Sequence, residues 1–243
     1  MNKKTRFLVS FGTAALFFLF MLNFPVSRLH SQSISLLTPP SIYGWVQLHP
    51  NLGEATPPTF GASLSIYNVS SPITMATVRV DDRFNIPHTG GGTYYLPSIT
   101  YPALTFNMPI KISIKGPLHT EPEIFADGKV SALVDFISPT FRDVIDLRTT
   151  EYVKVQWKYS AGSATIEKLM LIRDPAGPSI EFTGIGAATH YEISRDRLAP
   201  NSFYRLILWV TLNDFRFKTP SLVSRRSKIT LTMLVNTSFR TAS

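Results

Sequence analysis

The chain contains no cysteine. That absence removes disulfide frameworks, thiolate-bound zinc, iron–sulfur clusters and thiol nucleophiles. Charge is scarce as well: Asp, Glu, Lys and Arg make up 16% of the 243 residues, against about 25% in an ordinary soluble domain. Histidine occurs five times, at His30, His49, His88, His119 and His190. No two of these stand at the spacing of a zinc pair, and there is no H-E-x-x-H. A G-x-S-x-G nucleophile elbow is absent. His88-Thr-Gly-Gly-Gly-Thr93 is glycine-rich but lacks the Gly-Lys-Ser/Thr end of a phosphate loop, and it reads as a hairpin loop. The carboxylate pairs Asp143/Asp146 and Glu121/Glu123 fall in charged, loop-like sequence and read as solvated. Asp81-Asp82 lacks the spacing of a calcium loop and reads as a turn. These absences point away from an enzyme, and no cofactor or metal is expected.

What is present begins at the N-terminus. Lys3, Lys4 and Arg6 precede an uncharged run from Phe7 to Ser27, densest over Ala14–Leu22 and followed by the helix-breaking Pro25. Two readings stand. Residues 1–33 form a cleaved signal peptide, with Ser31 and Ser33 as small residues at the cleavage site. Alternatively, residues 7–27 form an uncleaved anchor of about the 20 residues a bilayer span needs. Both place the rest of the chain outside the cytoplasm, secreted or in the cell envelope. The leader also accounts for half of the net charge of +8: without its four basic residues the chain carries 20 Lys and Arg against 16 Asp and Glu.

After residue 34 no long helical period appears. Short runs rich in Val, Ile, Thr, Tyr and Phe recur between Pro, Gly, Asn and Asp, the pattern of an all-β sandwich. In Ile110-Lys-Ile-Ser-Ile114 the three isoleucines share one face, because strand side chains repeat every two residues. The proline-rich stretch 34–58 reads as a surface wrap. Residues 174–188 read as a glycine-rich loop or a hairpin. A composition shift with Gly116, Pro117, Pro122 and Gly128 suggests a linker over 116–129. It divides the chain into two antiparallel β-sandwiches, residues 34–115 and 130–243.

Val153-Lys-Val-Gln-Trp157 is an alternating strand ending in Trp, and Leu198-Ala-Pro200-Asn-Ser-Phe-Tyr204 precedes a further strand. Together they resemble a fibronectin type III domain, an immunoglobulin-like sandwich, over residues 130–236. The resemblance implies that Trp157 lies in the core, that Leu198 and Pro200 cover a sandwich end, and that the Tyr204 hydroxyl bonds back to the backbone. The segment Phe215-Arg-Phe-Lys218 and the turn Ser-Arg225-Arg226-Ser-Lys228 depart from the small polar hairpin of that family. In residues 60–115, Val80-Asp-Asp-Arg-Phe84 followed by Gly92-Thr-Tyr94 resembles a prealbumin-like, carboxypeptidase-regulatory type sandwich. Arg83 stands where that family has glycine. Such domains are usually accessory rather than catalytic.

Two groups of residues are candidate binding material. Tyr43, Trp45, Tyr94, Tyr95 and Tyr101 crowd the first half, where exposed rings would stack on a ligand such as a sugar. Core packing is the first expectation for these rings, but Tyr94 and Tyr95 are adjacent, so on a strand one faces out. Arg216, Lys218, Arg225, Arg226 and Lys228 form a local basic cluster suited to an anionic polymer or lipid surface, or simply a solvated hairpin tip. The leading functional reading is a non-enzymatic, exported or membrane-anchored protein of binding, adhesion or envelope assembly, with a protein or carbohydrate ligand and no nucleic acid. The second is a carbohydrate-binding accessory module, and the third a hydrolase on a sandwich scaffold. Asn68-Val-Ser and Asn236-Thr-Ser are glycosylation sequons if the host glycosylates.

Overall fold

Alternation of buried apolar and solvent-facing residues makes strands of most of this chain. The computed structural model describes residues 39–50, 57–69, 71–118, 120–175 and 177–243. The leader, His30, His119 and Ser70 of the first sequon lie outside the described residues. In the first half the strands are β1 (Ser41–His49), β2 (Thr59–Asn68), β3 (Ser71–Pro72), β4 (Thr77–Val80), β5 (Phe84–Ile86), β6 (His88–Gly90), β7 (Thr93–Thr100), β8 (Pro109–Lys115) and β9 (Ile124–Lys129). The second half continues with β10 (Ala132–Ser138), β11 (Val144–Asp146), β12 (Tyr152–Gly162), β13 (Thr165–Asp174), β14 (Ser179–Gly186), β15 (His190–Ser194), β16 (Phe203–Asp214), β17 (Arg216–Phe217) and β18 (Lys228–Ala242). Among the described residues, helix is confined to two single 3-10 turns, Arg195–Arg197 and Pro220–Leu222, and no helix is long and apolar enough to cross a membrane.

Three sheets result. The largest runs β14-β13-β16-β18-β1-β2-β7-β6, with β11 alongside β18 and β3 alongside β2. A second has the order β17-β9-β8-β4-β5 and a third β10-β12-β15. In the first half, the β1-β2-β7 part of the long sheet faces the second sheet across an apolar interior. Phe60 of β2 meets Phe84 of β5 edge-on at 4.9 Å, and Tyr101 closes the cluster at 4.8 Å from Phe60. In the second half, β14-β13-β16-β18 faces β10-β12-β15, with Phe182 of β14 against Tyr191 of β15 at 4.9 Å. Tyr204, Leu206, Leu208, Val210 and Leu212 alternate along β16 and are all buried. Each such side chain contributes about 1.5–3 kcal/mol of hydrophobic stabilisation.

The second half is a fibronectin type III-like sandwich by its own geometry. Trp157 on β12 is buried, and its indole N–H donates to the Ala188 carbonyl at 2.9 Å. Tyr204, the second residue of β16, is buried, and its hydroxyl accepts the Ala199 backbone N–H at 2.7 Å. This is the tyrosine corner, which fixes the chain where it crosses between sheets. Leu198 is buried over the sandwich end, whereas Pro200 is exposed at the turn.

Two segments differ from the sequence reading, and a third takes one of the two forms it left open. Residues 41–49 are not a surface wrap but an interior strand: β1 pairs antiparallel with β2 on one side and parallel with β18 on the other. The prolines sit outside it, at positions 39, 40 and 50, so they interrupt no ladder bond. At Gly44 any Cβ would lie 2.0 Å from the Ser63 carbonyl oxygen, which is why this strand carries a glycine at its centre. Residues 124–129, assigned to a linker, form β9, bonded to β8 and β17. Residues 179–186 form a hairpin strand on β13.

The hydrogen bonding therefore crosses the expected boundary. The β16–β18 hairpin begins in the second sandwich and reaches into the first. β17 pairs Arg216 with Asp127 and Phe217 with Ala126. The N-terminal half of β18 continues the first sandwich as a neighbour of β1, Tyr43 opposite Lys228 through Leu48 opposite Met233. This docking is the physical reason for the departure at Phe215–Lys218: those side chains complete a sheet of the other half.

Candidate functional site

The first sandwich presents the outer face of β7-β2-β1-β18 to solvent. Ile42, Val46 and Leu48 of β1, and Phe60, Ala62, Leu64 and Ile66 of β2, point inward and are buried. The alternate residues therefore point out. On β1 these are Tyr43, 40% exposed, and the half-buried Trp45. On β2 they are Ser63, Ser65 and Tyr67, all half-buried. On β7 the outward ring is Tyr95, 43% exposed.

Strand register sets their order. Ser63 lies opposite Trp45 on one side and Tyr95 on the other. Trp45 lies opposite Thr230 of β18, which lies opposite Asp214 of β16. One cross-strand row thus reads Tyr95, Ser63, Trp45, Thr230, Asp214. The neighbouring row reads Thr93, Ser65, Tyr43, Lys228. Directly opposed residues share a face. The rings consequently stand on either side of a floor made of two serines, the smallest outward side chains on the central strand after Gly61. Asp214 closes the far end, accepting from Thr230 Oγ1 at 2.9 Å and pairing with Lys228 Nζ at 3.3 Å.

Tyr94 and Tyr101 offer no face to a ligand. Tyr94 is 1% exposed; its hydroxyl donates to the Ile73 carbonyl at 3.0 Å and accepts the Ala76 N–H at 2.9 Å. Burial pushes this phenol above its ordinary pKa. Tyr101 is buried beside Phe60 and donates to Asp81 Oδ2, and burial together with that carboxylate pushes its pKa well above the ordinary phenol range. Asp81 spends its other oxygen on the Lys111 backbone N–H at 2.7 Å. Asp81 and Asp82 both have positive φ, 51° and 56°, and Arg83 N–H closes the turn onto the Val80 carbonyl at 3.1 Å. Two aspartates here do the conformational work that glycine commonly does in such a hairpin turn.

The basic cluster divides. Lys218 pairs with Asp127 at 2.8 Å, and Lys228 with Asp214. Arg225 and Arg226 project from the turn that β1 anchors, where Ile42 N–H donates to Ser227 Oγ at 3.0 Å and Ser224 N–H to the Pro40 carbonyl at 2.8 Å. Arg216 is exposed on β17. Only Lys228 belongs to the aromatic face. Three of the four carboxylates weighed for catalysis are engaged locally: Asp143 accepts the Thr140 N–H, Glu121 the Leu118 N–H, and Asp146 holds Arg148. The Arg148 guanidinium keeps the Asp146 carboxyl below its usual range. Three clefts among the described residues, of about 290, 270 and 240 Å³, contain one carboxylate each, Glu123, Asp135 and Asp196.

Ser63, Ser65, Tyr67, Thr230 and Asp214 were not legible as site residues. Alternation could have placed the first three on one face, but nothing local brings residue 230 beside residue 45.

The sequence matches no protein-family model and no curated protein. Among solved structures, the chain is similar to the fibronectin(III)-like modules of Clostridium thermocellum CbhA, at 14% identity over 76% of this chain and 86% of that one, with a TM-score of 0.22. It is also similar to a two-domain fibronectin type III segment of chicken tenascin, at 13% identity over 73% and 92% of the two chains, TM-score 0.25. A bacterial ice-binding adhesin aligns at 11% identity over 85% of this chain and 66% of that one, TM-score 0.24.

Proposed function

We propose that this is a non-enzymatic binding protein, exported or held at the membrane by its N-terminal segment, that engages a carbohydrate at the cell surface through the aromatic face of the first sandwich. The observation that carries this reading is the placement of Tyr95 on β7 and of Trp45 and Tyr43 on β1, facing one way, with the serines of β2 between them. Aromatic faces bury the apolar faces of sugar rings, and hydroxyl-bearing neighbours exchange hydrogen bonds with the sugar edges. The rings sit on strands rather than loops, so little conformational entropy is lost on binding. Affinity electrophoresis through gels containing soluble polysaccharides tests this. Retardation by at least one polysaccharide, abolished in Tyr43→Ala and Tyr95→Ala but kept in Tyr94→Phe, is the expected result. Equal migration of all variants in every gel overturns it.

A protein ligand, in adhesion or envelope assembly, is the second reading. It is favoured by the exposed apolar side chains Ile137, Phe141 and Val144, 49%, 55% and 64% exposed, clustered in sequence at β10 and β11 of the second sandwich.

A further inference from the structure

The geometry points to a narrower ligand class: a neutral, extended, β-linked glycan laid across the strands, not along them. This rests on the carbohydrate reading above. The row Tyr95, Ser63, Trp45, Thr230, Asp214 spans five adjacent strands. Four inter-strand spacings of about 4.8 Å make it about 19 Å long, the reach of roughly four sugar rings in an extended chain. Its two rings stand two strands apart, about 9.6 Å, with a serine between them.

That spacing selects the glycan geometry. In a ribbon-like β-1,4-linked chain each ring is turned over relative to the last, so alternate rings present the same face. Tyr95 and Trp45 stand at the spacing of alternate rings, and Ser63 lies under the ring between them, whose edge hydroxyls it can bond. An α-1,4-linked chain coils and cannot keep successive contacts on one flat sheet. Tyr43, on the adjoining row beside Trp45, widens the platform at its centre.

Charge selects neutrality. Asp214 and Lys228 are the ionised groups of these two rows, and they pair with each other at 3.3 Å while remaining 51% and 63% exposed. Their charges offset one another, so the two rows themselves carry no net charge; the exposed Arg225 and Arg226 lie on the turn beyond them. What Asp214 and Lys228 offer is an acceptor and a donor at one end of the row, which suit the vicinal hydroxyls of a sugar. Thr230, bonded to Asp214 at 2.9 Å, holds the carboxylate in that position.

Calorimetric titration of the full chain tests the inference. The probes are tetrasaccharides of β-1,4-linked glucose, mannose, xylose and N-acetylglucosamine, with maltotetraose and tetragalacturonate as the coiled and anionic comparisons. At least one β-linked tetraose is expected to bind, and more tightly than its disaccharide. Tyr95→Ala and Ser63→Leu, both on the solvent face, are expected to weaken it about tenfold or more, the cost of losing a binding anchor. Should maltotetraose or tetragalacturonate bind as tightly as the best β-linked tetraose and still be lost in Tyr95→Ala, this inference fails while the carbohydrate reading survives. If no saccharide binds, or both variants bind as wild type does, both fail together.

Discussion

Phe215, from the second half of the chain, packs its buried ring over the α-carbon of Gly128 in the first. A Cβ at position 128 would lie 2.9 Å from Phe215 Cε1. The contact holds the tip of the β16–β18 hairpin on β9, so that one sheet serves both sandwiches.

Truncating this contact should loosen that junction. Phe215→Ala is expected to cost about 3–5 kcal/mol, the range for a buried phenylalanine, read as a lowered urea midpoint. Gly128→Val should also destabilise, because the enclosed ring has no room to retreat. A midpoint unchanged in both variants would show that the hairpin does not depend on this seat.

The tyrosine corner makes a separate prediction. Tyr204→Phe keeps the ring but leaves the half-buried Ala199 N–H without its acceptor, at a cost of about 1 kcal/mol. Tyr94→Phe strands both Ile73 and Ala76 backbone groups and should cost at least as much. Tyr95→Phe, on the outer face, should change stability by less than about 0.5 kcal/mol. Chemical denaturation of the three variants side by side checks the order.

Acid should weaken the fold partly through His49. Burial lowers its pKa below the ordinary 6.5, so the folded chain resists a proton that the unfolded chain accepts. Stability is therefore full above that value and declines as pH falls through it towards the lowered pKa. The urea midpoint should drop as the pH falls below the ordinary 6.5, and His49→Gln should reduce that drop. An identical pH dependence in the variant would remove His49 from the account.

The three tryptophans should report separately on the two faces. Trp157 is 1% exposed and should be shielded from acrylamide, whereas the half-buried Trp45 and Trp209 should be quenched. Trp45→Phe should remove a quenchable fraction, and any glycan that binds should protect that same fraction. Protection that persists in Trp45→Phe would place the ligand elsewhere.

Strand periodicity was readable wherever apolar residues alternate, as in Ile110–Ile114 and Tyr204–Leu212. The corner at Leu198–Tyr204 was readable because its parts lie within seven residues. The adjacency of Tyr94 and Tyr95 required that one face out, but not which one. That choice follows from Tyr94 reaching Ile73 and Ala76, about twenty residues away on a turn.

By itself, the sequence determined the class: an all-β chain without disulfides, with a fibronectin type III-like corner and no motif of metal or nucleophilic chemistry. These are local properties, set by alternation, turn residues and the residue types present. The tertiary structure alone decided that β1 lies parallel to β18, because that pairing joins positions about 185 residues apart through backbone bonds that carry no side-chain signature. The row from Tyr95 through Trp45 to Asp214 depends on that pairing. The binding face therefore exists only once the chain is folded, with the two halves built on one sheet.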